Sequence, residues 1–138
     1  MREDLDKKLC EEFPYLYRER HLDFYKSCLG YGFEVSDHWF DILYELSKKL
    51  DELYKDLPKD DDYPAVVQVK EKFGGLRYYM GSIPEHLSEK TYEYVREAEE
   101  KSYRTCEICG KEGKNRNIHG WLSVLCETHY HEQGLKND

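Results

Sequence analysis

Apolar residues fall in three periodic runs along this chain, each closed by polar or glycine/proline punctuation. In the charged N-terminal segment Leu5, Leu9 and Phe13 recur at helical spacing and stop at Pro14, which cannot continue a helix. Residues 29–37 hold two glycines and read as a loop around a short strand. A second helix follows, with Ser36 or Asp37 as its cap and Asp41 in its first turn. Its stripe is Trp39, Ile42, Leu43, Leu46, Leu50, Leu53 and Leu57. Pro58 and the run Lys59-Asp60-Asp61-Asp62 end it in a solvated loop.

Between residues 65 and 80 the helical period gives way to strand alternation around Gly74-Gly75. Glycine takes positive φ without a Cβ penalty, so that pair is expected to form a two-residue hairpin turn. The turn would place Phe73 opposite Leu76, Lys72 opposite Arg77, Glu71 opposite Tyr78 and Lys70 opposite Tyr79. One face then holds Val67, Val69, Phe73, Leu76, Tyr78 and Met80, with Glu71 the exception; the other holds Gln68, Lys70, Lys72, Arg77 and Tyr79. Ser82-Ile83-Pro84-Glu85 has capping-box spacing and opens a helix running to about residue 104. Its inward positions are Leu87, Thr91, Tyr94, Val95, Ala98 and Ser102. The expected fold is α+β, with helices packed on a β-hairpin or small antiparallel sheet. One domain spans 1–138, divided into an α+β body (1–102, hairpin at 65–80) and a cysteine module (103–138).

A chain of 138 residues suits one core, which 13 Tyr, 5 Phe and 2 Trp supply with large side chains. Lys plus Arg number 21 against 29 Asp plus Glu, a net charge of −8, which argues against non-specific duplex binding. No long apolar run is present and Met1-Arg2-Glu3-Asp4 does not open a signal peptide, so the expectation is a cytoplasmic protein without a membrane partner. Five cysteines are an odd count for a disulfide framework. Cys10 and Cys28 stand alone and read as free buried thiols.

The other three cysteines carry the clearest chemistry. Cys106-Glu107-Ile108-Cys109-Gly110 is a knuckle: two thiolates two residues apart chelate one ion while Gly110 lets the backbone turn. After sixteen intervening residues, Cys126-Glu127-Thr128-His129 repeats the spacing with a sulfur and a nitrogen. Three Cys and one His make a closed tetrahedral zinc site, structural because no position is left for water. A hairpin between the pairs and a helix opened by the second pair give a treble-clef-like module, with a zinc ribbon as the alternative. A redox Cys-x-x-Cys lacks the surrounding βαβ pattern, and His119 and His131 are the alternative ligands to His129.

On the hairpin, Lys70, Lys72 and Arg77 gather three cations on one face of an acidic protein. Like charges on neighbouring strands repel, and an anion would relieve them. The stripe Glu85, Glu89, Glu93 and Glu97 lies opposite the inward face of its own helix, so it points away from the hairpin. The readings for the cations are a solvated strand face that discourages edge pairing or a site for a phosphate, nucleotide or acidic protein surface. Tyr79 and Trp39 are the candidates for stacking a base.

One ordered set of motifs spans most of the chain: Phe13-Pro14, Gly32-Phe33-Glu34, Asp37-x-Trp39, the stretch Lys70 to Tyr79 (KEKFGGLRYY), Cys106-x-x-Cys109-Gly110, Gly120-Trp121 and Leu125-Cys126-x-x-His129. The set resembles an uncharacterised family of small bacterial and phage proteins, departing from it at His38, where the pattern has glycine. The resemblance implies a phage or prophage accessory protein in a bacterial host cell and brings no reaction with it. The expected function is a zinc-stabilised, non-enzymatic binding protein capturing a nucleotide or nucleotide-derived signal on Lys70, Lys72 and Arg77. One alternative is an inhibitor or adaptor of a host defence protein acting through the acidic helix face. The other is a metal-dependent nuclease or nucleic-acid-binding regulator, for which Lys111, Lys114 and Arg116 form a small basic patch.

Overall fold

In a computed structural model describing residues 1–136, the N-terminal run forms helix α1 (Glu3–Glu12), anchored by Leu9. Its Asp6 pairs with Arg20 (3.0 Å), and the Arg20 guanidinium also donates to the Gly30 carbonyl (3.3 Å). This clamp sets the loop entering the short strand β1 (Phe33–Glu34). Ser36 is the cap, accepting from the His38 amide (3.1 Å) to start a 3-10 turn that continues into α2 (Phe40–Leu53).

The sheet has strand order β1-β2-β3, with β2 (Val66–Lys72) and β3 (Gly75–Met80) antiparallel and β1 added to β2 in parallel. The turn differs from the expected one. Phe73 (φ 56°) and Gly74 (φ 89°) occupy it, and Lys72 pairs with Gly75, Glu71 with Leu76, and Lys70 with Arg77. Gly75 is required inside the strand because a Cβ there would lie 2.1 Å from Cζ of Tyr103. Moving the turn by one residue slides the strands by two positions, which preserves the face of every paired side chain. Gln68, Lys70, Lys72, Arg77 and Tyr79 therefore still share a face, while Val69, Leu76 and Tyr78 are buried on the other. Two placements change: Phe73 leaves the core for the tip, where it is 64% exposed, and a bulge between Val66 and Gln68 makes Val66, not Val67, the buried valine.

Helix α3 (Glu85–Ser102) starts after Pro84, and Ser82 does not cap it. The residue before a proline is disfavoured in helical geometry, which delays the start past Ile83. Thr91, Val95, Ala98 and Ser102 are buried, with Leu87 and Tyr94 packed on the core edge. The Leu76 amide donates to Ser102 Oγ (2.9 Å) and the Tyr78 amide to Glu99 Oε2 (3.2 Å). Two side chains of α3 thus cover the outer edge of β3, satisfying amides that would otherwise invite another strand.

Tyrosine builds the core with its hydroxyls paired internally. The Tyr17 hydroxyl meets Ser47 (2.5 Å) and Tyr78 (2.8 Å), Tyr54 meets Thr91 (2.7 Å), and Tyr63 donates to Asp51 (2.6 Å). Such pairing removes the desolvation cost of a buried hydroxyl. Cys10 is half-buried; burial and Asp6, to which its thiol donates (3.7 Å), push it up to about 12. Cys28 is a correction to the expected buried thiol, because the 3-10 turn at Cys28–Tyr31 buries Leu29 and turns Cys28 to solvent. Among the described residues, no helix is long and apolar enough to cross a membrane.

Candidate functional site

The C-terminal module is built from the knuckle at 106–110, the antiparallel strands β4 (Lys114–Ile118) and β5 (Trp121–Leu125), and helix α4 (Glu127–Lys136). The Cys106 amide donates to the Lys111 carbonyl (2.7 Å) and the Gly110 amide to the Cys106 carbonyl (2.8 Å), folding the knuckle back on itself. Gly110 sits at φ 78°, the positive-φ geometry this turn requires. His119 and Gly120 form the β4–β5 turn, closed by the Gly120 amide on Asn117 Oδ1 (2.8 Å). Strand β5 delivers Cys126 to the start of α4, and His129 follows one helical turn later. Two ligands at a helix N-terminus make the layout that of a treble clef, whereas a ribbon would carry a second knuckle there.

Cys106, Cys109, Cys126 and His129 bring their ligand atoms within 4.8 Å of one another. The Cys109 and Cys126 sulfurs are 3.8 Å apart, and His129 Nδ1 lies 3.7 Å from Cys106 Sγ and 3.2 Å from Cys126 Sγ. A tetrahedron with metal–sulfur bonds of about 2.3 Å has edges of about 3.8 Å, so the four residues fit one ion. Burial raises the Cys106 thiol, but the amides of Cys126, Ile108 and Cys109 outweigh it and lower the thiol to about 6. At Cys126 the His129 amide stabilises the thiolate. His129 Nε2 points toward Glu132 (3.9 Å), a second contact that orients the ring. All four positions of such a tetrahedron are protein atoms, so a bound ion holds the chain together and has no place for water. His131 contacts Glu127 (3.1 Å) and His119 belongs to the β4–β5 turn; neither joins the cluster.

Trp39 is a correction. It is fully buried, and its indole N–H donates to the Thr105 carbonyl (3.2 Å), so it joins the module to the body and cannot stack an external base. Ser36 Oγ adds a bond to the Glu107 carbonyl (2.5 Å). Asn115 Nδ2 donates to the Phe73 carbonyl (3.3 Å), tying β4 to the hairpin tip.

The hairpin gathers the other expected residues on one face. Lys70 Nζ lies 6.0 Å from the Tyr79 ring centroid, Lys72 Nζ 5.5 Å from Phe73, and the Arg77 guanidinium 5.9 Å from Tyr103. Glu34 is the register neighbour of Lys70, yet none of the three cations forms an ion pair among the described residues. Of the acidic helix stripe, Glu97 pairs with Lys49 (3.6 Å) and Glu93 with Lys90 (3.3 Å). Arg116 of the small basic patch is taken up by the Tyr130 ring (4.5 Å) and Glu127 (3.4 Å). The aromatic that sequence alternation misses is Phe73, exposed beside Lys72 because it sits in the turn while Gly75, packed under Tyr103, stays in the strand. That long-range contact leaves no local signal. No family model, curated protein or solved structure matches the chain.

Proposed function

We propose that this is a zinc-stabilised binding protein that holds an anionic ligand on the open face of its hairpin. Three thiolates and an imidazole in a closed tetrahedron are the donor set of structural zinc, whose binding free energy becomes folding free energy. The observation that carries the reading is the set Lys70, Lys72 and Arg77: three cations on one sheet face, none in an ion pair among the described residues, with Glu99 acting on Arg77 only at longer range. Charge-assisted bonds from Lys and Arg suit phosphate oxygens, and the exposed rings of Tyr79 and Phe73 beside them suit a base. A nucleotide or nucleotide-derived signal is the concrete ligand. In a phage accessory protein, capturing it would deprive a host defence of its messenger.

The test is calorimetry with ATP and with inorganic triphosphate on the wild type and on Lys72→Ala/Arg77→Ala. The double variant should lose about 100-fold in affinity, as expected for two charge-assisted contacts, with metal content and melting temperature retained. Unchanged affinity in a folded, metal-loaded variant refutes the reading. Triphosphate binding as tight as ATP would remove Tyr79 and Phe73 from the site.

A further inference from the structure

Trp121 is 72% exposed on β5, unlike the buried Trp39. It stands where two open cavities meet, of about 680 and 480 Å³, with Glu107, Ile108, Trp121 and Ser123 common to both. The larger continues along the module to Ile118 and Gln133; the smaller runs to the sheet end at Val35, Glu34 and Glu71. The result is one groove along the seam between module and body, with an apolar floor of Trp121 and Ile108. Its walls carry the carboxylates of Glu34, Glu71 and Glu107. Glu71 already accepts the Gly74 amide (2.6 Å), and the Met1 ammonium at the rim donates to the Phe33 carbonyl (3.3 Å). Glu107 accepts from Ser123 and stands near Glu71, and Glu34 lies beside Lys70 in register; neither Glu34 nor Glu107 is in an ion pair among the described residues.

We infer that this groove docks a basic peptide segment of a partner protein, with an arginine side chain laid on the Trp121 indole and its guanidinium among the carboxylates. An exposed indole attracts a cation through its ring quadrupole, and guanidinium stacks on it better than ammonium does. A tryptophan in a groove is the residue type that carries most of the energy of a protein interface, because its large surface is desolvated on contact. The net charge of −8 favours approach of a basic partner. The groove adjoins the anion-holding face at Glu34, the register neighbour of Lys70, but Lys72, Arg77 and Tyr79 do not line it.

The probes are three blocked heptapeptides, in which glycine alternates with arginine, lysine or glutamate. Binding is followed by calorimetry and by indole fluorescence, on the full-length metal-loaded protein. The arginine peptide should bind, the lysine peptide more weakly and the glutamate peptide not at all. Trp121→Ala should lower arginine-peptide affinity at least about tenfold, and Glu34→Gln/Glu107→Gln should flatten its salt dependence, with metal content unchanged in each. Lys72→Ala/Arg77→Ala should leave it intact, which separates this groove from the anion-holding face. No binding of the arginine peptide, equal binding of the glutamate peptide, or full affinity in Trp121→Ala overturns the inference. So does salt-sensitive self-association of the wild type that Trp121→Ala abolishes, since the occupant would then be a second copy of this chain.

Discussion

Glu99 holds a strand edge from a half-buried position that disfavours its charged form. Its carboxylate accepts the Tyr78 amide from a half-buried position on α3. Burial raises its pKa, opposed by that amide and by Arg77. In the unfolded chain the group titrates in the ordinary carboxylate range, so between that range and the raised folded value the native state holds a proton that the unfolded state lacks. The contribution of Glu99 is therefore most favourable below the ordinary value and declines as pH rises through the raised one. Glu99→Gln keeps an acceptor without the charge and should be at least as stable as wild type at pH 7. Glu99→Ala strands the amide and should cost about 1–3 kcal/mol. Urea unfolding at pH 5 and pH 7 checks both; a Gln variant weaker than wild type at pH 7 would mean that the charge itself secures the edge.

The hairpin is decided by contacts made outside it. Within residues 65–80, either glycine pair or phenylalanine–glycine could turn the chain, and the local preference favours two glycines. In the folded chain Tyr103 packs where a Cβ on residue 75 would stand, so Gly75 is spent inside the strand, and the turn takes Phe73 in left-handed geometry at φ 56°. Such geometry costs a non-glycine residue roughly 1–2 kcal/mol. Phe73→Asn, which tolerates it, should raise stability by about 1 kcal/mol in thermal melts. If Phe73 stacks the ligand as proposed, the same variant should weaken ATP binding without changing triphosphate binding. A less stable Asn variant would show that the exposed ring contributes packing worth more than the strain.

The molecule is joined through its cysteine module. Trp39 and Ser36 on the body grip the carbonyls of Thr105 and Glu107 on either side of Cys106, and Asn115 grips Phe73. Removing the ion should release these contacts. In Trp121→Phe, leaving Trp39 as the single indole, chelation should shift emission to the red and lower the melting temperature. Acid should do the same, because protonation of the thiolates and imidazole competes with the metal. An emission unchanged by complete metal removal would mean that the body holds Trp39 without the module.

Spacing alone determined which four side chains converge: Cys106 and Cys109, and Cys126 and His129, are local within each pair, and two matching pairs leave few ways to gather. It also determined the inward faces of α2 and α3 and the cationic face of the hairpin, since periodicity survives a shifted turn. Tertiary structure decided what periodicity cannot encode. Trp39 lies at helical spacing in either role, and only its complete burial, with the indole bonded to the Thr105 carbonyl, makes it core. Phe73 obeys strand alternation until the folded chain keeps Gly75, packed under Tyr103, in the strand and leaves Phe73 in the turn. Glu99 sits on a helix flank with no mark of the strand it covers, and Trp121 is one residue of a short hairpin until the module meets the sheet and leaves a groove beside it. Each depends on residues distant in sequence competing for the same space, which a one-dimensional pattern does not carry.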